Sequence, residues 1–143
     1  MMSETRNELR SRLVDEVMVS CPKTLPSTAT VARARHVLAD EHVHMALLLD
    51  GIRLVGTLTR PDIAESRVSD QGIALSIAVL DGRIVNPHDT AECALNAMIQ
   101  RGFRRLAVVT ETGELVGLLC LKRSRTGFCS DADVAARAAD REP

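Results

Sequence analysis

Apolar and polar positions run in the same order twice along this chain. In the first half Val31, Ala34, Val37 and Leu38 recur at helical spacing, and a short apolar run, "MALLLD", follows. A turn carrying Gly51 then leads into a second apolar run, "LVGTL". In the second half Ala91, Ala94, Leu95, Met98 and Ile99 supply the helical stripe, "LAVVT" the first run, Gly113 the turn, and "LVGLL" the return. Thr30 and Thr90 stand immediately before the two stripes, 60 residues apart, and read as N-caps. Gly56 and Gly117 are 61 apart, so the halves stay in step except for one residue, which falls in the hairpin turn. With Pro26 and Pro87 marking the turn before each helix, the pattern predicts an α/β protein made of two strand-helix-strand-strand-helix units.

A unit of about 60 residues with one small sheet leaves a sheet face bare, and joining the two bare faces is the natural remedy. Ahead of the first unit, Leu9, Leu13, Val14 and Val17 form a stripe that predicts a helix packed on the outside of the pair. After the second unit the chain turns Ala- and charge-rich, with Asp131 or Asp133 placed to cap a short helix.

With 143 residues, 45% of them hydrophobic, there is material for one compact domain or two small repeats sharing a core. A net charge of −1 offers no global field for nucleic acid, and the absence of Trp and Tyr leaves almost no aromatic face on which bases could stack. No apolar run approaches the roughly 20 residues that span a bilayer. The opening "MMSETRNELRSRL" is polar where a signal peptide would be apolar, so the expected location is cytoplasmic, without membrane association. Cys21, Cys93, Cys120 and Cys129 show no zinc-ligand spacing and read as scattered thiols. His42 and His44 lack carboxylate or cysteine partners at ligand spacing. No Ser, Cys or Lys has a recognisable base nearby in sequence, so no enzyme is expected.

The stretch "GTLTRPDI" (56–63) places Thr59 and Asp62 where a strand gives way to a helix, with Pro61 suited to its first turn. By itself this is an N-cap followed by a first-turn acid near the positive helix end. Together with "VDEVM", "KTLPSTATVARARHVLADEHVHMALLLD" and "LVGTLTRPDI", however, it resembles a cystathionine beta-synthase (CBS) domain, and residues 76–123 resemble a second, diverged copy. The resemblance implies two CBS repeats forming one compact pair about a pseudo-twofold axis, with adenosyl-ligand sites in the cleft between them. It divides the chain into an N-terminal helix or extension (1–13), repeat 1 (14–70), repeat 2 (71–128) and a C-terminal tail (129–143).

Within that resemblance Asp62 would accept hydrogen bonds from both ribose hydroxyls, Thr59 would face a phosphate, and Thr24 would touch the base. The positions matching Thr24, Thr59 and Asp62 in the second copy are Ile84, Cys120 and Arg123. Since Arg123 cannot accept from ribose, one site per chain is expected. His44, Arg104, Arg105, Lys122 and Arg123 match places where related pairs gather basic groups around phosphates, although for Lys122, Arg123 and Arg125 a solvated charged face is an equal reading. The resemblance thus implies a stand-alone regulatory module that takes AMP, ADP, ATP or S-adenosylmethionine as a regulatory ligand, not a cofactor. It would form a homodimer through the helices after Thr59 and Cys120 and act in trans on another protein. A ligand-free interaction module is the other reading.

Overall fold

The structure is a computed structural model that describes residues 9–20 and 22–131; Cys21, Asp133 and the rest of the two chain ends, including most of the expected C-terminal tail, lie outside the described residues. Its elements are α1 (Val14–Val17), β1 (Thr24–Pro26), α2 (Val31–Leu38), β2 (Ala46–Asp50), β3 (Arg53–Leu58) and α3 (Arg60–Glu65). A 3₁₀ turn (Ala74–Ile77) follows, then β4 (Ile84–Val85), α4 (Ala91–Arg101), β5 (Arg105–Val109) and β6 (Leu115–Cys120).

Two three-stranded sheets, β1-β2-β3 and β4-β5-β6, have the same topology: the first pair parallel, the second antiparallel. Their registers match at a displacement of 60, Thr24 opposite Leu47 and Ile84 opposite Ala107. Even the irregularities coincide, since each hairpin shifts register at one place, between Leu48 and Leu49 and between Val108 and Val109. Both N-caps form as the pattern predicts, with Thr30 Oγ1 accepting from Arg33 N at 3.1 Å and Thr90 Oγ1 from Cys93 N at 3.2 Å. Gly102, with φ 75°, ends α4 in the left-handed conformation that glycine adopts without steric cost.

The halves are bound by exchange of their leading segments. Val79, which precedes β4, pairs with Thr57 of β3 through N–H···O bonds of 2.8 and 2.9 Å. Val19, which precedes β1, pairs in the same manner with Leu118 of β6, at 2.8 and 3.0 Å. The first N–H of α2, at Val31, donates to Gly72 O (2.8 Å), while that of α4, at Ala91, donates to Arg12 O (2.9 Å). Each helix start is therefore satisfied by the other half's leader. Gly56 and Gly117 mark where those leaders cross: a Cβ on Gly56 would sit 2.6 Å from Ala78 Cβ, and one on Gly117 would meet Met18 and lie 2.8 Å from Val19 O.

This exchange corrects one expectation. The stripe is not one continuous helix: the chain turns after Arg10, Leu13 bridges Thr90, and Leu9, Val14 and Val17 are buried in the core of the second half with Ala91, Leu95, Met98 and Leu119. The 3₁₀ turn serves the first half in the same way, placing Ala74 among Val31, Ala34, Leu48 and Ile63. Between the sheets Met45, Leu47 and Leu54 meet Ala107 and Val109, so the two bare faces do cover each other. The hairpins are also joined, by Leu54 N to Gly113 O (2.9 Å) and Leu115 N to Ile52 O (3.1 Å).

A second correction concerns the helix expected directly after Cys120. Residues 121–130 instead turn back, with Leu121 bridging Phe128 and Cys129 N donating to Cys120 O at 2.7 Å. The Asp131 carboxylate accepts from Ser20 N and Ser20 Oγ, both at 2.8 Å, and the short helix that Asp131 or Asp133 was expected to cap lies outside the described residues.

Candidate functional site

Asp62 occupies the third position of α3, and its Oδ2 reaches back to accept from the Thr59 N–H at 2.8 Å. This is the carboxylate half of a capping box, and Pro61 lies in the same first turn. The ordinary reading of the "GTLTRPDI" stretch is thus realised. The carboxylate has a second task. Arg83 Nη1 donates to Oδ2 at 2.5 Å and Nη2 to Oδ1 at 2.9 Å, a two-point fork with both side chains largely buried (17% exposed for Arg83, 15% for Asp62). Burial pushes the Asp62 carboxyl up, but hydrogen bonds from Arg83 and Thr59, with the guanidinium charge, outweigh it and hold the group below its ordinary value.

Arg83 is tied to the crossing segment. Its Nη1 also lies 3.3 Å from the hydroxyl of the fully buried Thr57, which itself donates to Val79 O at 2.5 Å. The Arg83 carbonyl accepts from Ala107 N of β5 at 2.8 Å. One residue thus links α3 and β3 of the first half to the sheet of the second. Sequence reasoning missed it, since "LDGRIV" looks like turn followed by strand. The available signal was the displacement of 60, which sets Arg83 opposite Lys23, a second basic residue one position before a first strand.

The predicted residues separate into two groups. Thr24, His44, Thr59 and Asp62 belong to the first half. Thr24 opens β1 and is exposed. His44 is half-buried, its Nδ1 3.5 Å from Arg60 Nη1. Arg60 closes the C-terminal end of α2 by donating to the carbonyls of Leu38, Asp40 and Val43 at 2.7–2.8 Å. Arg104, Arg105, Lys122 and Arg123 belong to the second half. Arg104 Nη2 donates to Leu121 O at 3.1 Å, and Arg105, only 9% exposed, donates to Arg104 O at 3.1 Å. Lys122 and Arg123 lie on the turn after β6, half-buried and exposed respectively.

Among the described residues, the hydrogen bonds to the Asp62 carboxylate come from Thr59 and Arg83. Arg104 Nε is buried with no hydrogen-bond partner among the described residues. In the second copy, Cys120 stands where the first has Thr59. It is buried and its thiol donates to Cys129 Sγ at 2.8 Å. The described residues contain no cluster of three His, Cys, Asp or Glu placed to hold a metal ion, and no helix long and apolar enough to cross a membrane.

Comparison with known proteins fits this geometry. The CBS domain profile matches residues 14–69 and 81–123. A CBS domain protein from Pyrobaculum aerophilum, solved with AMP, is 27% identical and superposes with a TM-score of 0.65, covering 89% of this chain and 98% of that one. CBSX2 in complex with AMP is 19% identical with a TM-score of 0.69, covering 92% and 100%. The CBS domain pair of protein MJ0100, solved with 5′-methylthioadenosine and S-adenosyl-L-methionine, is 17% identical with a TM-score of 0.64, covering 91% and 98%. Among curated proteins, no sequence matches.

Proposed function

Because the chain belongs to the CBS domain family, we propose that it is a regulatory module that binds one adenosyl nucleotide between its repeats and signals occupancy to another protein. The supporting observation is the Asp62 carboxylate: ionised, largely shielded, anchored by the Thr59 N–H, and holding a two-donor fork of the kind that the vicinal hydroxyls of a ribose present. The AMP complex of the Pyrobaculum aerophilum relative supports the choice of ligand class. Thr24 would meet the base and His44 a phosphate, with Arg104, Arg105, Lys122 and Arg123 as further phosphate contacts if the halves draw closer around the ligand. The second copy, with Cys120 and Arg123 in place of Thr59 and Asp62, would lack ribose recognition. On this reading the CBS pair itself performs no chemistry and reports occupancy to a partner.

A thermal-shift screen of AMP, ADP, ATP, S-adenosylmethionine and NADH tests the proposal, because a ligand at 100 times its dissociation constant adds about 2.7 kcal/mol of stability. Titration calorimetry should then give one nucleotide per chain, lost in Asp62→Ala.

One observation favours a second reading. Arg83 already satisfies Asp62, as it would in a ligand-free module whose carboxylate only joins the repeats. Such a module would work through protein contacts, a homodimer first among them. It predicts no shift with any adenosyl compound, together with a dimer in sedimentation.

A further inference from the structure

We propose that Arg83 is a displaceable latch on the carboxylate of Asp62, so that a ribose gains its site only by evicting this guanidinium. The inference rests on the nucleotide-binding reading above and adds to it the residue that sets the order of ligand preference.

A carboxylate offers about four acceptor positions on two oxygens. Three are taken, by Thr59 N and Arg83 Nη1 on Oδ2 and by Arg83 Nη2 on Oδ1. A vicinal diol needs one good acceptor on each oxygen, which are the two that the fork holds. Diol and guanidinium therefore compete for the same groups, while the Thr59 bond can persist with either. Competition is confined to one site. The mirrored positions, Lys23 and Arg123, carry two cations that cannot pair, so the second half has no corresponding latch.

Arg83 keeps its charge once evicted, and a guanidinium leaving a carboxylate in a shielded setting needs another anion. A phosphate on the incoming ligand supplies one with the same bidentate geometry. Adenosine supplies none, and S-adenosylmethionine offers a carboxylate only beside its own ammonium and sulfonium cations, with a net positive charge. The latch thus favours phosphate-bearing nucleotides over other adenosyl compounds, although all share the ribose and base contacts. Eviction also changes the link between halves, because Arg83 lies between Val79, paired with β3, and Ile84, which opens β4. Occupancy at Asp62 would thereby reach the interface of the two repeats.

The test is calorimetry of AMP and adenosine, at one fixed salt concentration, with wild type, Arg83→Gln and Arg83→Lys. Gln and Lys cannot form the fork, and Lys retains the charge and much of the stem if Gln proves unstable. Adenosine should bind both variants about ten-fold more tightly than wild type, while AMP gains less or loses, so the preference for AMP over adenosine narrows. Variants that bind adenosine no more tightly than wild type, with wild type binding AMP, overturn the latch and leave the nucleotide reading standing. If no form of the protein binds either compound, the nucleotide reading itself is wrong and the latch goes with it. Adenosine binding that emerges only in the variants would support both.

Discussion

Gly56 and Ala78 approach so closely that a Cβ on the glycine would lie 2.6 Å from the alanine Cβ, inside any ordinary van der Waals contact. The contact joins β3 to the segment leading into the other repeat. Gly56→Ala should therefore cost about 1–3 kcal/mol, as overpacking does in a filled core. Gly117→Ala should cost a similar amount, because the Val19 carbonyl on the crossing backbone cannot swing aside as a side chain would. Urea midpoints of the two variants check both values.

Leu9 is fully buried against the second half. Leu9→Ala should remove about 2–5 kcal/mol. In native-state hydrogen exchange, the loss should be greater in β5 and β6 than in β2 and β3.

The link between Asp62 and Arg83 should make stability fall in acid. The Asp62 carboxyl in the folded protein lies below its ordinary value of 3.8, so the unfolded chain takes up a proton first as pH drops. The stabilisation is complete above 3.8 and disappears as pH falls through the lower folded value. Asp62→Asn should cost about 1.5–3 kcal/mol at neutral pH, and the gap from wild type should close towards pH 2. Denaturation curves collected across that range test the sign as well as the size.

Thr30 and Thr90 cap equivalent helices with equivalent bonds. Their alanine variants should each lose about 1 kcal/mol, and the two losses should add, since the caps share no partner. Thermal melts of the single and double variants measure this. Neither change should alter AMP affinity beyond what the lower stability explains.

Much of the fold could be read from the chain because repetition shows itself as register. Thr30 with Thr90 and Gly56 with Gly117 fixed the displacement, and the extra residue fell in the hairpin turn, as the longer Thr110–Glu114 connection shows. The glycines were legible as position but not as cause. Their role follows from a crossing made by distant residues, Ala78 for Gly56 and Val19 for Gly117, which local pattern cannot reveal. For the same reason Val14 and Val17, which fall within the first repeat in sequence, were not assigned to the core of the second. The helix expected after Cys120 was carried over from the first copy, where Thr59, Pro61 and Asp62 start it; the second copy has none of the three and turns instead. At the site, Asp62 was legible from its motif. Arg83 was not, because an isolated arginine after a Gly turn has no local signature, and only the exchanged backbone brings it to the carboxylate.

The bonds between Val19 and Leu118 have a consequence for how the protein is made. Synthesis runs from amino to carboxyl, so the leader that carries Val19 emerges well before β6, the strand that seats it. While the first sheet acquires its own partner, Val79, soon after Thr57, the leader carrying Leu9 and Val14 must wait, apolar and unhoused, until β6 leaves the exit tunnel. Folding should thus proceed in two stages during synthesis, with β6 fastening a segment made much earlier. Nascent chains stalled short of that strand would be the ones to engage chaperones.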